Sequence, residues 1–295
     1  MDKRIKSIEK YRFNTYVDGQ NEESIEVSGE IISKTEFDRK GNTILSLTYD
    51  KHGNIAEHIV FKYNEDDLLI EELIYDEEVV VEKRNFEYNI DKLLSLEKIY
   101  YHDDSFDSMH YSYNVKKQLI EKKLVDSDNE TETLIVFSYD NESIISESEY
   151  NSDNELFDEK NYTYDEHNNL IKFSHYNALD EATKQTVYEY DEKNNRTKTF
   201  YYDDAGKLIS RSTYKYNDKN QIETLIEDST IQSLTYKLFY DETDKMILQE
   251  EYNDEKELLS SISFEYDDKQ ILRQISKGDG YHNNFIIESE VQYYE

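Results

Sequence analysis

The side chains able to do chemistry in this chain are mostly carboxylates. Its 295 residues include 67 Asp and Glu against 34 Lys and Arg, with seven His and no Cys. The lack of cysteine excludes disulfides, thiolate zinc sites and cysteine nucleophiles. Because carboxylates are so frequent, a pair at the separation that glycosidases use has no diagnostic value.

No metal, cofactor or catalytic site is predicted. Nucleotide-binding glycine motifs, the G-x-S-x-G elbow and the H-E-x-x-H zinc motif are absent from the sequence. The segments 126–130 and 203–206 resemble pieces of calcium loops, but neither completes the EF-hand spacing, so we expect solvent-exposed turns. We expect ordinary surface roles for the histidines, which are His52, His58, His102, His110, His167, His175 and His282.

The elements that carry these residues are tandem hairpins. An aromatic residue followed by Asp or Asn recurs from Phe37-Asp38 to Tyr266-Asp267, mostly at alternating spacings of 12 and 14 residues. Asp and Asn initiate turns with their own side chains, and Gly or Asn takes the left-handed position that closes a tight hairpin. We therefore predict an all-β antiparallel meander of about 20 short strands in hairpin repeats of about 26 residues, coiled or curled into an elongated or hollow repeat sheet.

A second regularity is the pair aromatic-x-aromatic at the end of each long strand. A spacing of two places both rings on one face. We expect these rings to be structural, because a net charge of -33 would repel the phosphate backbone that a base-stacking platform serves. The predicted aromatic ladder consists of Tyr63, Tyr88, Tyr113, Tyr139, Tyr164, Tyr190, Tyr216 and Tyr266.

Interruptions of the repeat supply candidate partner-binding residues. Residues 101–109 carry extra charge and an unusual phenylalanine, and residues 126–132 replace a tyrosine anchor with an acidic run. Loops on a rigid scaffold often carry function, and simple decay of the repeat is the alternative explanation. The predicted partner-binding residues are Asp103, Asp104, Phe106, Asp107, Asp126, Asp128, Glu130, Asp203 and Asp204.

The turn sequences resemble the YD-repeat, or RHS-like, family. The matching motifs are Tyr49-Asp-Lys-His-Gly-Asn-Ile, Tyr190-Asp-Glu-Lys-Asn-Asn and Tyr202-Asp-Asp-Ala-Gly-Lys-Leu, and the resemblance covers about residues 30–295. It implies strands wrapped into a shell, although this chain has no proline-containing cleavage motif and seven glycines in all. We expect an N-terminal cap over 1–30, a repeat array over 31–280 and a capping strand over 281–295.

The charge suggests a function in binding. A charge of -33 along a flat ribbon of such strands is roughly one negative charge per 3 Å, near the phosphate spacing of a DNA strand. We expect a non-enzymatic protein that binds and inhibits or neutralises a basic partner protein, like an immunity protein or a phage-type inhibitor of a nucleic-acid-binding effector. Alternatively, the acidity only keeps the sheet soluble, and the chain is a structural, surface or shell-forming module.

Other partners and the compartment are expectations of the same kind. We predict no binding to nucleic acid or membrane, and self-association is possible through sheet edges. The N-terminus lacks the apolar stretch of a signal peptide, and no segment has the roughly 20 apolar residues of a membrane-spanning helix. These features predict a cytoplasmic protein.

Overall fold

Short strands alternate with tight turns throughout the part of the chain that the computed structural model describes, which is residues 4–17, 23–25, 29–103, 105–267, 270–278 and 284–295. Those residues form 23 strands and no helix, so they contain no helix that could cross a membrane. The predicted all-β antiparallel meander is confirmed. The strands are β1 (Ile5–Val17), β2 (Glu23–Ile25), β3 (Glu30–Phe37), β4 (Thr43–Tyr49), β5 (Ile55–Tyr63), β6 (Leu69–Asp76), β7 (Val79–Tyr88), β8 (Leu94–Tyr100), β9 (Phe106–Tyr113), β10 (Leu119–Val125), β11 (Thr131–Asp140), β12 (Ser143–Tyr150), β13 (Leu156–Tyr164), β14 (Leu170–Asn177), β15 (Ala182–Tyr190), β16 (Arg196–Tyr202), β17 (Leu208–Tyr216), β18 (Ile222–Ser229), β19 (Ser233–Tyr240), β20 (Met246–Tyr252), β21 (Leu258–Asp267), β22 (Gln270–Gly278) and β23 (Phe285–Tyr293).

One turn type joins most strands, and Asp191 illustrates it. Its carboxylate Oδ1 accepts the N–H groups of Lys193 at 2.9 Å and Asn195 at 2.8 Å. Asn194 has a φ of 64°, the left-handed conformation that Asn adopts more readily than most residues. The extra residue in the turn shifts the strand register at Tyr190, as expected for a hairpin that ends in a bulge. In the main chain, the N–H of the first turn residue bonds to the carbonyl of the fifth, and the N–H of the fourth bonds to the carbonyl of the first. These two bonds recur in turns headed by Asp38, Asp50, Asn64, Asn89, Asn114, Asp126, Asn151, Asp165, Asp191, Asp203, Asn217, Asp241 and Asn253.

The turn after β18 departs from the repeat pattern. Asp228 stands where the repeat spacing places a turn head, but it lies inside β18, where its carboxylate accepts bonds from Arg211 and from the Ser233 hydroxyl, both at 2.6 Å. The turn begins one residue later at Ser229, whose N–H bonds to the carbonyl of Gln232 at 2.9 Å. In a five-residue turn headed by Asp228, Ile231 would occupy the left-handed fourth position, which a β-branched residue adopts only at high cost.

The chain divides into two compact units. The first comprises residues 1–85 and 237–295, and its strands follow the order β20, β21, β22, β23, β1, β3, β4, β5, β6 and β7, all antiparallel. Strand β1 thus pairs with β3 on one side and with β23 on the other. The Tyr294 N–H donates a 2.9 Å bond to the carbonyl of Arg4, next to β1, and the Tyr294 hydroxyl donates a 2.5 Å bond to the carbonyl of Phe37 at the end of β3.

The second unit comprises residues 86–236. Strands β8 to β18 follow one another in an uninterrupted antiparallel meander. Turns that follow even-numbered strands therefore lie along one edge of this unit, and turns that follow odd-numbered strands lie along the other. We call the second of these the tyrosine edge, because ladder tyrosines end the strands that lead into it.

Neither unit contains a conventional hydrophobic core within the described residues. The buried hydrophobic side chains there are Val125 and Ile286, whereas most strand residues on both faces are half-buried. The fold is therefore stabilised by many partial contacts and by regular hydrogen bonding along the sheet.

Candidate functional site

The predicted residues of turn 126–130 have divided roles. Asp126 Oδ1 accepts the N–H groups of Asp128 at 3.0 Å and Glu130 at 2.7 Å, and Asn129 closes the turn with a φ of 65°. The half-buried Asp126 carboxylate therefore holds the backbone in place. The exposed carboxylates of Asp128 and Glu130 lie on this fixed turn and have solvent contact.

The residues predicted around 101–109 are also tied into their hairpin. Asp103 accepts bonds from the Ser105 hydroxyl at 2.6 Å and the Ser105 N–H at 3.1 Å, and these bonds lower the pKa of the Asp103 carboxyl. Asp107 accepts a bond from the Tyr101 hydroxyl. The Phe106 ring is 38% exposed, yet it lies 5.3 Å from the Tyr100 ring. Asp104 lies outside the described residues.

The remaining two predicted residues belong to turn 203–207. Asp203 Oδ1 accepts the N–H of Lys207 at 2.8 Å, and Asp204 Oδ1 accepts the N–H of Ala205 at 3.1 Å. Gly206 has a φ of 75° and so fills the left-handed position. This turn lies three turns along the same edge from turn 126–130 and contains a lysine, which distinguishes it from the turns between them.

Four consecutive turns on this edge of the second unit contain no Lys or Arg: 101–105, 126–130, 151–155 and 177–182. We call these four turns the acidic edge. Sequence reasoning identified the first two turns and missed the other two, which add Asp153, Glu155, Asp180 and Glu181. Comparison of equivalent turns for their lack of lysine would have identified them. The tyrosine edge differs, because four of its six turns in this unit contain lysine: Lys92, Lys116 with Lys117, Lys193 and Lys219.

A shallow cavity of about 350 Å³ lies within the acidic edge, between turns 126–130 and 151–155. Its walls are polar, and three of its lining residues are the carboxylates Asp126, Glu130 and Glu132. A surface of this kind attracts cationic groups from a partner. The described residues contain no group of three or more His, Asp or Glu side chains arranged to hold a metal ion.

The predicted ladder tyrosines share a contact that the sequence pattern did not reveal. Seven of the eight hydroxyls donate to a main-chain carbonyl near the start of the preceding strand, which satisfies a polar group at the end of a half-buried ring. Burial also raises the pKa of several of these phenols, including Tyr139 and Tyr164. The bonds are Tyr63 to Thr43 at 2.9 Å, Tyr113 to Leu94 at 2.8 Å, Tyr139 to Leu119 at 2.8 Å, Tyr164 to Ile144 at 2.9 Å, Tyr190 to Leu170 at 2.8 Å, Tyr216 to Arg196 at 2.8 Å and Tyr266 to Met246 at 2.7 Å. Tyr88 occupies the equivalent position on β7, and burial raises its pKa too.

Cations lie between the rings of successive ladder strands. The Arg196 guanidinium is 5.7 Å from the Tyr188 ring and 4.9 Å from the Tyr214 ring. Ladder strands are separated by one intervening strand, so their rings are about 9.6 Å apart, beyond the 4.5–7 Å range of direct ring contact. A side chain from the intervening strand fills the gap. Lys122 does the same between Tyr111, at 6.0 Å, and Phe137, at 5.7 Å. Each of these four rings therefore has a cationic partner on the intervening strand.

One ionisable cluster lies on this ring-bearing face. The Asp158 carboxylate is 2.6 Å from His175 Nε2 and also accepts a bond from Asn177 at 3.2 Å. Lys160 forms a 2.7 Å ion pair with Glu147 on the neighbouring strand. These contacts link neighbouring strands, which favours a role in joining strands β12, β13 and β14.

No family model matches the chain, and no curated protein matches it. Among solved structures, a porin-like protein from Bacteroides uniformis ATCC 8492 is 11% identical, covers 98% of both chains and has a TM-score of 0.33. TcdB2-TccC3 without its hypervariable C-terminal region is 10% identical over 90% of this chain and 21% of its own, with a TM-score of 0.23. A porin-like protein from Bacteroides vulgatus ATCC 8482 is 10% identical over 99% of both chains, with a TM-score of 0.21. A Tc-toxin chain of the RHS type is thus among the similar structures, but these scores are too low to assign a family or a function.

Proposed function

We propose that the chain is a non-enzymatic binding protein that captures a basic partner protein through its acidic edge. The partner has a cationic cleft of the kind that binds nucleic acid, and occupation of that cleft inhibits or neutralises it. The function resembles that of an immunity protein or a phage-type inhibitor, and charge mimicry supplies part of the attraction.

The observation that carries this proposal is the run of four lysine-free turns along one edge of the second unit. Their backbones are held by side-chain hydrogen bonds, such as the 2.7 Å bond from the Glu130 N–H to Asp126. Consecutive turns on one edge are two strand spacings apart, about 9.6 Å. The edge therefore offers a regular, rigid row of carboxylates, and little ordering entropy is lost when a partner binds.

Several weak contacts in register, rather than one hot spot, carry the binding. An exposed ion pair contributes at most about 1 kcal/mol, so we expect a single reversal such as Asp128→Lys to have little effect. A block reversal changes the local field and slows association, because electrostatic steering acts mainly on the rate of encounter.

The experiment measures inhibition of a non-specific bacterial endonuclease acting on DNA, together with its association kinetics with the full chain. The test variant carries Asp128→Lys, Glu130→Lys and Asp153→Lys on the acidic edge. Its matched control carries Glu166→Lys, Glu192→Lys and Asp218→Lys on the tyrosine edge. All six side chains are exposed, none heads a turn, and both variants change net charge equally.

We expect the acidic-edge variant to associate at least about tenfold more slowly and the control to change little. The difference should shrink as salt is raised, because the Debye length falls from about 30 Å at 0.01 M to about 3 Å at 1 M. Equal losses in both variants would show that only total charge matters and would contradict the assignment to this edge. Absence of binding at low salt would contradict the proposal as a whole.

A further inference from the structure

Two neighbouring turns on the tyrosine edge of the second unit expose apolar side chains completely. Ile90 is 99% exposed in turn 89–93, and Val115 is 102% exposed in turn 114–118. Both occupy the second position of the five-residue turn, directly after the Asn that heads it. We call these two turns the apolar tips.

This position is polar in the other turns of the same type. Complete exposure of a β-branched apolar side chain contributes nothing to folding, and polar residues are the usual choice in turns. Ile90 and Val115 are therefore exceptions to the polar second position of this turn type. The equivalent residues elsewhere are Arg39, Lys51, Glu65, Ser127, Ser152, Glu166, Glu192, Asp204, Asp218, Glu242 and Asp254.

The same two turns share a second feature. The left-handed fourth position holds Lys92 with a φ of 60° and Lys117 with a φ of 65°, whereas it holds Gly, Asn or Asp in ten of the other eleven turns of this type. The remaining turn has Lys256 there, with a φ of 66°, but carries the polar Asp254 at its second position. Left-handed φ is costly for most side chains other than those of Asn and Asp. Both turns thus combine an apolar residue at the second position with a lysine at the fourth.

Contacts between the tips make them one surface. Lys117 Nζ forms a 2.8 Å ion pair with Asp91 of the neighbouring turn, which holds the two turns together. Lys116, which is exposed in turn 114–118, adds a further cation. The result is two apolar side chains that project outward, flanked by lysines, in a chain of net charge -33.

We propose that the apolar tips dock on an anionic lipid surface, which revises the expectation from the sequence that the chain binds no membrane. Ile90 and Val115 enter the boundary between headgroups and acyl chains, and the lysines contact the anionic headgroups. Two projecting turns are convex and far smaller than the roughly 1,000 Å² that a stable protein interface needs. A fluid lipid surface requires neither a matching pocket nor that area. The lysines give the tips a positive charge that complements an anionic surface and is opposite in sign to the net charge of the protein. This site is independent of the acidic edge.

The acidic edge does not oppose this contact strongly. Strand β9 has eight residues and so separates the two edges by about 27 Å, more than three Debye lengths at physiological salt. Asp91 within the tips is paired with Lys117, and the next opposing charges on the tyrosine edge are Asp140 and Glu142 at the neighbouring turn, about 9.6 Å along the sheet. These carboxylates weaken the contact and provide a test of it.

The experiment measures co-flotation of the full chain with phosphatidylcholine vesicles, with and without phosphatidylserine, at physiological and high salt. The apolar variant is Ile90→Ser with Val115→Ser. Its matched control is Leu179→Ser with Ile231→Ser, which removes two apolar side chains that are 79% and 91% exposed on the opposite edge. Lys116→Glu with Lys117→Glu tests the cations, and Glu142→Gln removes an opposing charge.

We expect flotation only with phosphatidylserine and a decrease at high salt. The apolar variant and the lysine variant should each lose at least about tenfold in partition coefficient. For the lysine variant, this loss follows from about 1 kcal/mol per lysine near an anionic surface. The control should match the unmodified chain, and Glu142→Gln should bind severalfold more strongly. Equal losses in the apolar variant and its control would overturn the proposal, as would absence of flotation. Concentration-dependent self-association that the apolar variant abolishes would assign the tips to a second copy of the chain instead.

Discussion

The phenolic hydroxyl of Tyr190 donates a 2.8 Å hydrogen bond to the main-chain carbonyl of Leu170, which precedes it by 20 residues. The bond joins the end of β15 to the start of β14, beside the turn that joins β13 to β14. The same contact recurs in six other ladder tyrosines, and each of them links the end of its own strand to a carbonyl at the start of the preceding strand. Hydrogen bonds from the hydroxyls of half-buried rings thereby contribute stability to a sheet that lacks a hydrophobic core.

Removal of this hydroxyl should weaken the fold. We expect Tyr190→Phe to lower the free energy of unfolding by about 1 kcal/mol, the net contribution of one such bond. Tyr190→Ala should cost about 3 kcal/mol, because it also removes half-buried ring contacts. Tyr202→Phe is the control, since no hydrogen bond of its hydroxyl occurs among the described residues. Denaturant unfolding measures all three, and a Tyr190→Phe effect no larger than the control would contradict a role for the bond.

Alkaline pH should destabilise the protein steeply. Burial raises the pKa of Tyr113, Tyr139 and Tyr164 above the ordinary value of 10.0. The folded state therefore holds these phenolic protons more tightly than the unfolded state. Their contribution to stability is full below pH 10 and is lost as the pH rises through the folded-state pKa. Phenolate absorbance and denaturant midpoints should change together, and gradual ionisation of these residues near pH 10 without unfolding would refute this expectation.

The turn aspartates should respond to acid in the opposite sense. Hydrogen bonds from the Asn195 N–H, the Asn195 side chain and the Lys193 N–H lower the pKa of Asp191 below 3.8. Its ionised form therefore stabilises the fold above pH 3.8, and this contribution is lost as the pH falls through the lowered pKa. Asp191→Asn keeps the acceptor oxygen and removes the titration, so its thermal midpoint should depend less on acid. Asp191→Ala should have a lower midpoint at neutral pH, and an Asn variant as unstable as the Ala variant would contradict the turn role.

The junction of the first and last strands has a single buried aliphatic side chain at its centre. Ile286 is 4% exposed and lies opposite Phe13 of β1 and Ile275 of β22. We expect Ile286→Ala to cost about 3 kcal/mol, as for other aliphatic truncations in buried sites. Ile271→Ala on β22, at 43% exposure, should cost less than about 1 kcal/mol. Similar costs for the two variants would show that the junction contributes no special stability.

Nucleic acid should not bind at physiological salt. A net charge of -33 repels phosphates, and affinity for nucleic acid comes largely from neutralisation of phosphates by Lys and Arg. Gel-shift assays with duplex DNA and with RNA at micromolar protein test this expectation. A shifted band that persists at physiological salt would contradict it.

The local features of this protein follow from the sequence alone. The turn at Asp126, the left-handed Asn129 and the placement of ladder rings on one face depend on interactions within about five residues, or on the two-residue period of a strand. Asp228 is the exception that shows the limit. It resembles a turn head, but its carboxylate bonds to Arg211 on the neighbouring strand.

The tertiary structure decided every relationship between distant residues. The pairing of β1 with β23, the burial of Ile286 between β1 and β22 and the position of Arg196 between two rings depend on which strands become neighbours and in which register. The alignment of Asp103, Asp126, Asp153 and Asp180 along one edge likewise depends on the uninterrupted pairing of β8 to β15. A repeated turn motif encodes each hairpin separately, whereas the alignment of edges and the junction of the ends arise from long-range pairing that no single repeat contains.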